Sequence, residues 1–164
     1  MEIITVSSAD LDNVVEIYQK VIKKMQQHAI FQWDDSYPSR ALLQEDITKK
    51  QLYAGILHGD IVSLFVLNHE SDPDYINGAW NYTEDNYCVL HRLCVRCEFQ
   101  GHRIGIKTIQ TIEHYLKNRG VESLRFDTFS QNFIALRLYT ALNYTVVGSM
   151  QWPRGIFYLY EKLL

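Results

Sequence analysis

The chain has 164 residues, 47% of them apolar and 21% charged, which suits one globular domain with a sizeable core. It holds no apolar run of about 18 residues, and its start carries Glu2 and no basic stretch, so neither a membrane span nor a signal peptide is expected. A net charge of −3 argues against the basic stripe of a nucleic-acid binder, and three cysteines without a secretion signal point to a reducing cytoplasm.

Residues 2–6, EIITV, read as a first strand. Leu11, Val14, Val15, Tyr18, Val21, Ile22 and Met25 then keep helical spacing, with Ser8 or Asp10 near the N-cap. Residues 31–40, FQWDDSYPSR, break that pattern, and Pro38 is expected to open a short second helix running to about Lys50. QLYAGIL and DIVSLFVLN flank HGD as a hairpin. Residues 70–86 hold Pro73, Gly78 and many polar groups, so a long loop is expected there, of the length that is often functional.

YCVLHRLCV (87–95) reads as the next strand, and Ile104 to Asn118 as a helix that ends at Gly120. ESLRFDTF is a strand, Asn132 to Leu142 a helix, and YTVVGSM and GIFYLYEKL two closing strands. The order is β-α-α-β-β-β-α-β-α-β-β. Its hairpin favours an antiparallel start, and its strand-helix-strand unit at 87–129 favours a parallel pair, giving a mixed α/β sheet. No repeat, low-complexity tract or linker divides the chain, so residues 1–164 are expected to be a single domain.

A strand followed by a glycine-punctuated turn and a helix is how backbones cradle phosphates. FQGHRIGIKT (99–108) has that form, but two known phosphate loops do not fit. A P-loop needs four residues between its glycines and then Lys and Ser/Thr; here three residues separate Gly101 from Gly105, and Ile106 precedes Lys107. The dinucleotide fingerprint needs glycines that this stretch lacks.

The stretch from Val95 to Ile106, VRCEFQGHRIGI, resembles the acyl-CoA-binding motif of the GNAT family of N-acetyltransferases, Arg/Gln-x-x-Gly-x-Gly/Ala. Gln100 and Gly105 match, and Gly101 sits where many members carry a glycine. Arg103 stands at the usual middle glycine; a negative φ is expected there, which would leave only its backbone N–H to matter and let its guanidinium reach a phosphate. A second segment, from Leu124 to Gly148, resembles the family's C-terminal part. There an Asn (Asn132) opens a helix, a Tyr (Tyr139) lies seven residues on, and a turn follows at Leu142-Asn143-Tyr144. Asn143 replaces a glycine at a position that tolerates a left-handed backbone.

The resemblance implies the GNAT acyl-CoA N-acyltransferase fold, with a mostly antiparallel mixed sheet, a splayed parallel strand pair and flanking helices. It implies that acetyl-CoA is the cosubstrate and that an acetyl group moves directly to an amine of a small molecule or peptide. The pantetheine arm is expected along the backbone of Leu93, Cys94 and Val95, whose amides would polarise the thioester carbonyl. The pyrophosphate is expected on Gln100, Gly101, His102, Arg103, Ile104, Gly105 and Ile106 at the helix start. Asn132 would steady the pantetheine arm, and Tyr139 would protonate the departing thiolate.

The amine must lose a proton before it attacks. His91 is the only titratable base of its strand, alternation puts it on one face with Leu93 and Val95, and a histidine's ordinary pKa near 6.5 suits the task. A structural strand histidine is equally consistent, and Glu84 and Asp85 in the preceding loop are further candidates. Trp33, Tyr37, Tyr75 and Trp80, with Phe31 and Glu84, suggest a partly apolar acceptor site with acidic edges. Asp34, Asp35, Asp72 and Asp74 are either a solvated surface or a mouth that attracts a cationic amine.

Two other readings stand beside this one. Cys94-x-x-Cys97 lacks the second ligand pair of a structural zinc and does not open a helix after a first strand, so no metal or redox centre is expected. A non-catalytic acyl-CoA-binding module on the same fold is the alternative function. The closing strands and an aromatic-rich surface suit a homodimer.

Overall fold

The computed structural model describes residues 1–82 and 86–164. Its elements run β1 (Glu2–Thr5), α1 (Leu11–Gln27), α2 (Arg40–Thr48), β2 (Leu52–Leu57), β3 (Asp60–Asn68), β4 (Tyr87–Val95), α3 (Ile104–Lys117), β5 (Ser123–Phe129), α4 (Phe133–Ala141), β6 (Thr145–Trp152) and β7 (Gly155–Leu163). That is the order expected from periodicity. The strands form one sheet in the order β1-β2-β3-β4-β5-β7-β6. β4 and β5 pair in parallel, whereas β1–β2, β2–β3, β5–β7 and β6–β7 are antiparallel. The sheet is therefore mixed and mostly antiparallel.

The parallel register covers Tyr87–Ser123, Cys88–Leu124 and Val89–Arg125, at the beginning of β4. The β2–β3 hairpin turns on His58 (φ 53°) and Gly59 (φ 89°), the two left-handed residues that a two-residue turn of matching twist requires. α2 differs from the sequence expectation at its start. Ser39 caps it, its side chain accepting the Leu42 amide at 3.2 Å, and Pro38 lies one residue outside the cap. A hydroxyl that satisfies an open helix amide outweighs the preference of proline for the first turn.

The chain falls into two compact units, residues 1–67 with 92–112 and residues 68–91 with 113–164. In the first, the apolar stripe of α1 (Leu11, Val14, Ile17, Tyr18, Val21, Ile22) packs with Leu43 and Ile47 of α2, Leu52 and Ala54 of β2, Leu64 and Val66 of β3, and Cys94 of β4. In the second, Tyr75, Val89, Phe129, Met150, Phe157 and Leu159 make a separate core.

The long segment after β3 is anchored within that second unit. It forms a short 3-10 helix at Pro73–Asn77. The Tyr75 hydroxyl lies 2.9 Å from Asp127 Oδ1, and Trp152 Nε1 donates to Asp74 Oδ2 at 3.1 Å. Arg125 of β5 lies over the rings of Trp80 and Tyr87, its Nε donating to Glu161 Oε1 at 3.0 Å and its Nη2 to the Tyr82 carbonyl. Glu161 Oε2 in turn accepts the Asn81 amide at 2.7 Å. Among the described residues no helix is long and apolar enough to cross a membrane.

Burial makes the fold sensitive to alkali. It pushes the thiols of Cys88 and Cys94 up to about 12, against about 8.5 in an unfolded chain. Both are neutral in the fold, so their contribution is complete below about pH 8.5 and is lost as pH rises towards 12. The Tm is expected to fall steeply between about pH 9 and 12, and Cys88→Ala/Cys94→Ala should flatten that slope even if it lowers Tm at pH 7. An unchanged slope in the double variant would contradict this.

Candidate functional site

In the first unit, β4 ends at Val95 and a short 3-10 turn (Cys97–Phe99) leads to Gln100. Gln100 closes the turn on itself, its Nε2 donating to the Val95 carbonyl at 2.9 Å. Gly101 (φ 84°) and Arg103 (φ 60°) both take left-handed backbones before α3 begins at Ile104. The expectation of a negative φ at Arg103 is therefore corrected. The chain needs a second left-handed residue to enter the helix, and an arginine there costs about 1–2 kcal/mol.

Ile104 is buried and anchors the helix start. The hydroxyl of buried Thr108 donates to the Ile104 carbonyl (2.9 Å) and lies 3.0 Å from the Ser63 hydroxyl of β3. The first amide bonded at this end is that of Lys107, to the Arg103 carbonyl at 3.1 Å. The amides of Ile104, Gly105 and Ile106 precede the helical ladder and carry its positive end. His102, Arg103 and Lys107 are exposed around them, and a Cβ on Gly101 would meet nothing within 4 Å. Chemically this is a concentration of donors and positive charge open to an anion.

β4 holds a feature that alternation does not anticipate. Arg92 has φ 52° in the middle of the strand. Its carbonyl accepts the Tyr18 hydroxyl at 2.8 Å, its Nη2 donates to Asp46 Oδ1 at 2.7 Å, and its Nη1 donates to the Tyr37 hydroxyl at 3.2 Å. A left-handed residue interrupts the period of two, so simple alternation no longer places His91 on one face with Leu93 and Val95. His91 Nε2 lies 2.9 Å from Asn68 Oδ1 and 3.0 Å from the Glu70 carbonyl. Asn68 Oδ1 also accepts the Glu70 amide, so both partners of Nε2 are acceptors and Nε2 donates to them. Cys94 points into the core with its thiol neutral, and among the described residues no three metal-binding side chains converge.

In the second unit, Tyr139 of α4 is buried, with its ring 4.3 Å from that of Phe126, 5.5 Å from Tyr160 and 6.0 Å from Tyr144. Burial holds its hydroxyl well above the usual tyrosine range, Thr128 hydrogen-bonds to it and draws it down, and Asp127 pushes it up. Tyr139 is thus fully protonated at neutral pH. Asn132 is the N-cap of α4, its Oδ1 accepting the Ala135 amide at 3.1 Å. Asn143 has φ 61°, as its place in the turn after α4 led one to expect.

The aromatic candidates divide. Trp33 is buried in the first core, edge-on to Tyr18 at 5.8 Å. Tyr75 belongs to the second core and stacks on Trp80, whose Nε1 donates to the Tyr75 carbonyl. Tyr37 is 37% exposed and Phe31 58%. Glu84 and Asp85 lie outside the described residues. Sequence reasoning passed over Tyr18, Asp46, Arg92 and Thr128. Only the odd acidic residue on the inner face of α2 signals Asp46 in advance.

The family model of the acetyltransferase (GNAT) family matches residues 18–144. No curated protein matches the sequence. Among solved structures, a GNAT-family acetyltransferase of Streptococcus agalactiae superposes with a TM-score of 0.86 at 18% identity, covering 99% of this chain and 95% of that one. A GNAT-family acetyltransferase of Listeria monocytogenes gives 0.78 at 17% identity, with 99% and 94% covered. The PaiA N-acetyltransferase of Thermoplasma acidophilum, in complex with coenzyme A, gives 0.70 at 17% identity, with 99% and 98% covered. These likenesses establish the fold.

The turn before α3 yields a stability test. Arg103→Gly removes left-handed strain and is expected to raise stability by about 0.5 kcal/mol after the extra entropy of a glycine is counted. Gly101→Ala, which meets open space and so incurs only the backbone penalty, should lower it by about 1 kcal/mol. Urea denaturation with the opposite order would contradict the turn geometry.

Proposed function

Because the chain belongs to the acetyltransferase (GNAT) family, we propose that it carries the acetyl group of acetyl-CoA directly to the nitrogen of an amine, on a small molecule or a peptide, with residues 1–164 acting as one domain. The family match over residues 18–144 carries this reading. Acetyl-CoA supplies the activated acyl carbon and a good leaving group. The chain's residues bind it, hold its carbonyl and manage two protons.

Gln100, Gly101, His102, Arg103, Ile104, Gly105 and Ile106 bind the pyrophosphate, through the amides at the start of α3 and the charge of Arg103, with Lys107 adding a second cation. The backbone of Leu93, Cys94 and Val95 holds the pantetheine arm and polarises the thioester carbonyl. Asn132 steadies that arm while its Oδ1 caps α4. His91 takes the proton of the attacking ammonium. As the C–N bond forms and the C–S bond breaks, Tyr139 donates its hydroxyl proton to the departing sulfur, and the second proton shed by the nitrogen restores the Tyr139 hydroxyl. Burial makes Tyr139 a weak acid, so its help is a hydrogen bond that stabilises the departing sulfur until the nitrogen's second proton is released.

For the acceptor, Tyr37 is the aromatic best suited, being half-exposed beside Arg92. Packing in the two cores accounts for Trp33, Tyr75 and Trp80 without a substrate. Three free cysteines suit a reducing compartment such as the cytoplasm. The exposed Val146 and Ile156 of β6 and β7 suit a homodimer.

Acetyl-CoA at about 100 times its Kd is expected to add about 2.7 kcal/mol, a Tm rise on the order of 5–10 °C, with ATP and NAD inert. Tyr139→Phe should keep that shift and lower kcat about 10- to 100-fold. A folded protein that shifts with neither acetyl-CoA nor CoA would contradict the reading. A shift without turnover on any amine would favour the non-catalytic module.

A further inference from the structure

Arg92 is held in its strained backbone by more contacts than a strand residue needs. Tyr18, 1% exposed, donates its hydroxyl to the Arg92 carbonyl at 2.8 Å. Asp46 pairs with the guanidinium at 2.7 Å, the two side chains being 5% and 9% exposed. Tyr37 accepts from the remaining terminal nitrogen. Inside a strand, a non-glycine residue with positive φ is strained, and neighbouring groups must hold it there.

The pairing is poorly explained as a source of stability. Among the described residues Asp46 Oδ2 and Arg92 Nε are buried without a hydrogen-bond partner. Burial raises the Asp46 carboxyl from its ordinary value even with Arg92 beside it. A buried ion pair of this kind is often no more stabilising than apolar side chains of the same size. What it does fix is geometry. An extended residue at position 92 would restore alternation, reversing the face taken by each of the next three side chains and the strand edge to which each of their amides points.

We infer that Tyr18 and Asp46 are positioning residues, a buried brace that holds Arg92 left-handed and thereby aims the backbone amides of Leu93–Val95. The inference rests on the role proposed above for those amides. Neither side chain touches the acetyl donor; both act through Arg92. Tyr18 binds the Arg92 backbone and Asp46 its side chain, so the residue is gripped at both ends.

The test compares the affinity of acetyl-CoA with that of adenosine 3′,5′-bisphosphate, which has phosphates and no pantetheine arm, by calorimetry on the full chain. Tyr18→Phe keeps its ring in the core and loses one hydrogen bond. It is expected to weaken acetyl-CoA about fivefold and leave the bisphosphate unchanged. A general loosening of the fold would not discriminate between the two. Arg92→Gly and Arg92→Ala both strand Asp46, but only glycine takes φ near 52° freely, so the Gly variant should bind acetyl-CoA several-fold more tightly than the Ala variant.

Equal affinities for the Gly and Ala variants, or wild-type acetyl-CoA binding in Tyr18→Phe, would overturn the brace. If both Arg92 variants fail to fold, Tyr18→Phe decides alone. A wild-type protein that binds no acetyl-CoA would instead refute the proposed function, so the two failures are distinguishable.

Discussion

A β-strand keeps its direction only while every residue stays extended, and β4 breaks that condition at Arg92. Beyond it the strand runs through Leu93 to Val95 before the chain turns towards α3. Residues of three elements meet Arg92: Tyr18 of α1, Asp46 of α2 and, from the segment between those helices, Tyr37. The apolar stripe of α1 carries Tyr18 into contact, so the hydrophobic core and the strained residue depend on each other.

The helix start is a second consequence of local backbone chemistry. Two left-handed residues within three positions let the chain leave a 3-10 turn and enter α3, whose first amides lie ahead of the helical ladder beside exposed His102, Arg103 and Lys107. Thr108 and Ile104 fix that end from within the core. In the other unit, burial does different work. Burial in the cage of Phe126, Tyr144 and Tyr160 keeps Tyr139 protonated.

Much of this was legible beforehand, for reasons that can be named. The α1 stripe, the left-handed hairpin turn at His58-Gly59 and the Gly120 stop after α3 are local signals, and local signals read well from one chain. Gln100, Asn132 and Tyr139 were singled out by spacing that resembled a family. Arg92 was not, because "LHRLCV" reads as part of an apolar strand and arginine has no preference for positive φ. Arg103 was read with the wrong sign of φ for the same reason. Trp33 and Tyr75 were legible as aromatic residues in irregular segments. Their burial depends on contacts distant in sequence, with Tyr18 and Asp127, that no local pattern encodes.

The most direct test of the account follows backbone amide chemical shifts by NMR as coenzyme A is added. The account predicts that the amides of Gly101–Ile106 move and saturate together, the largest changes falling at Ile104–Ile106. Saturable binding with those amides unmoved would contradict it, because the phosphates would then lie elsewhere than the start of α3.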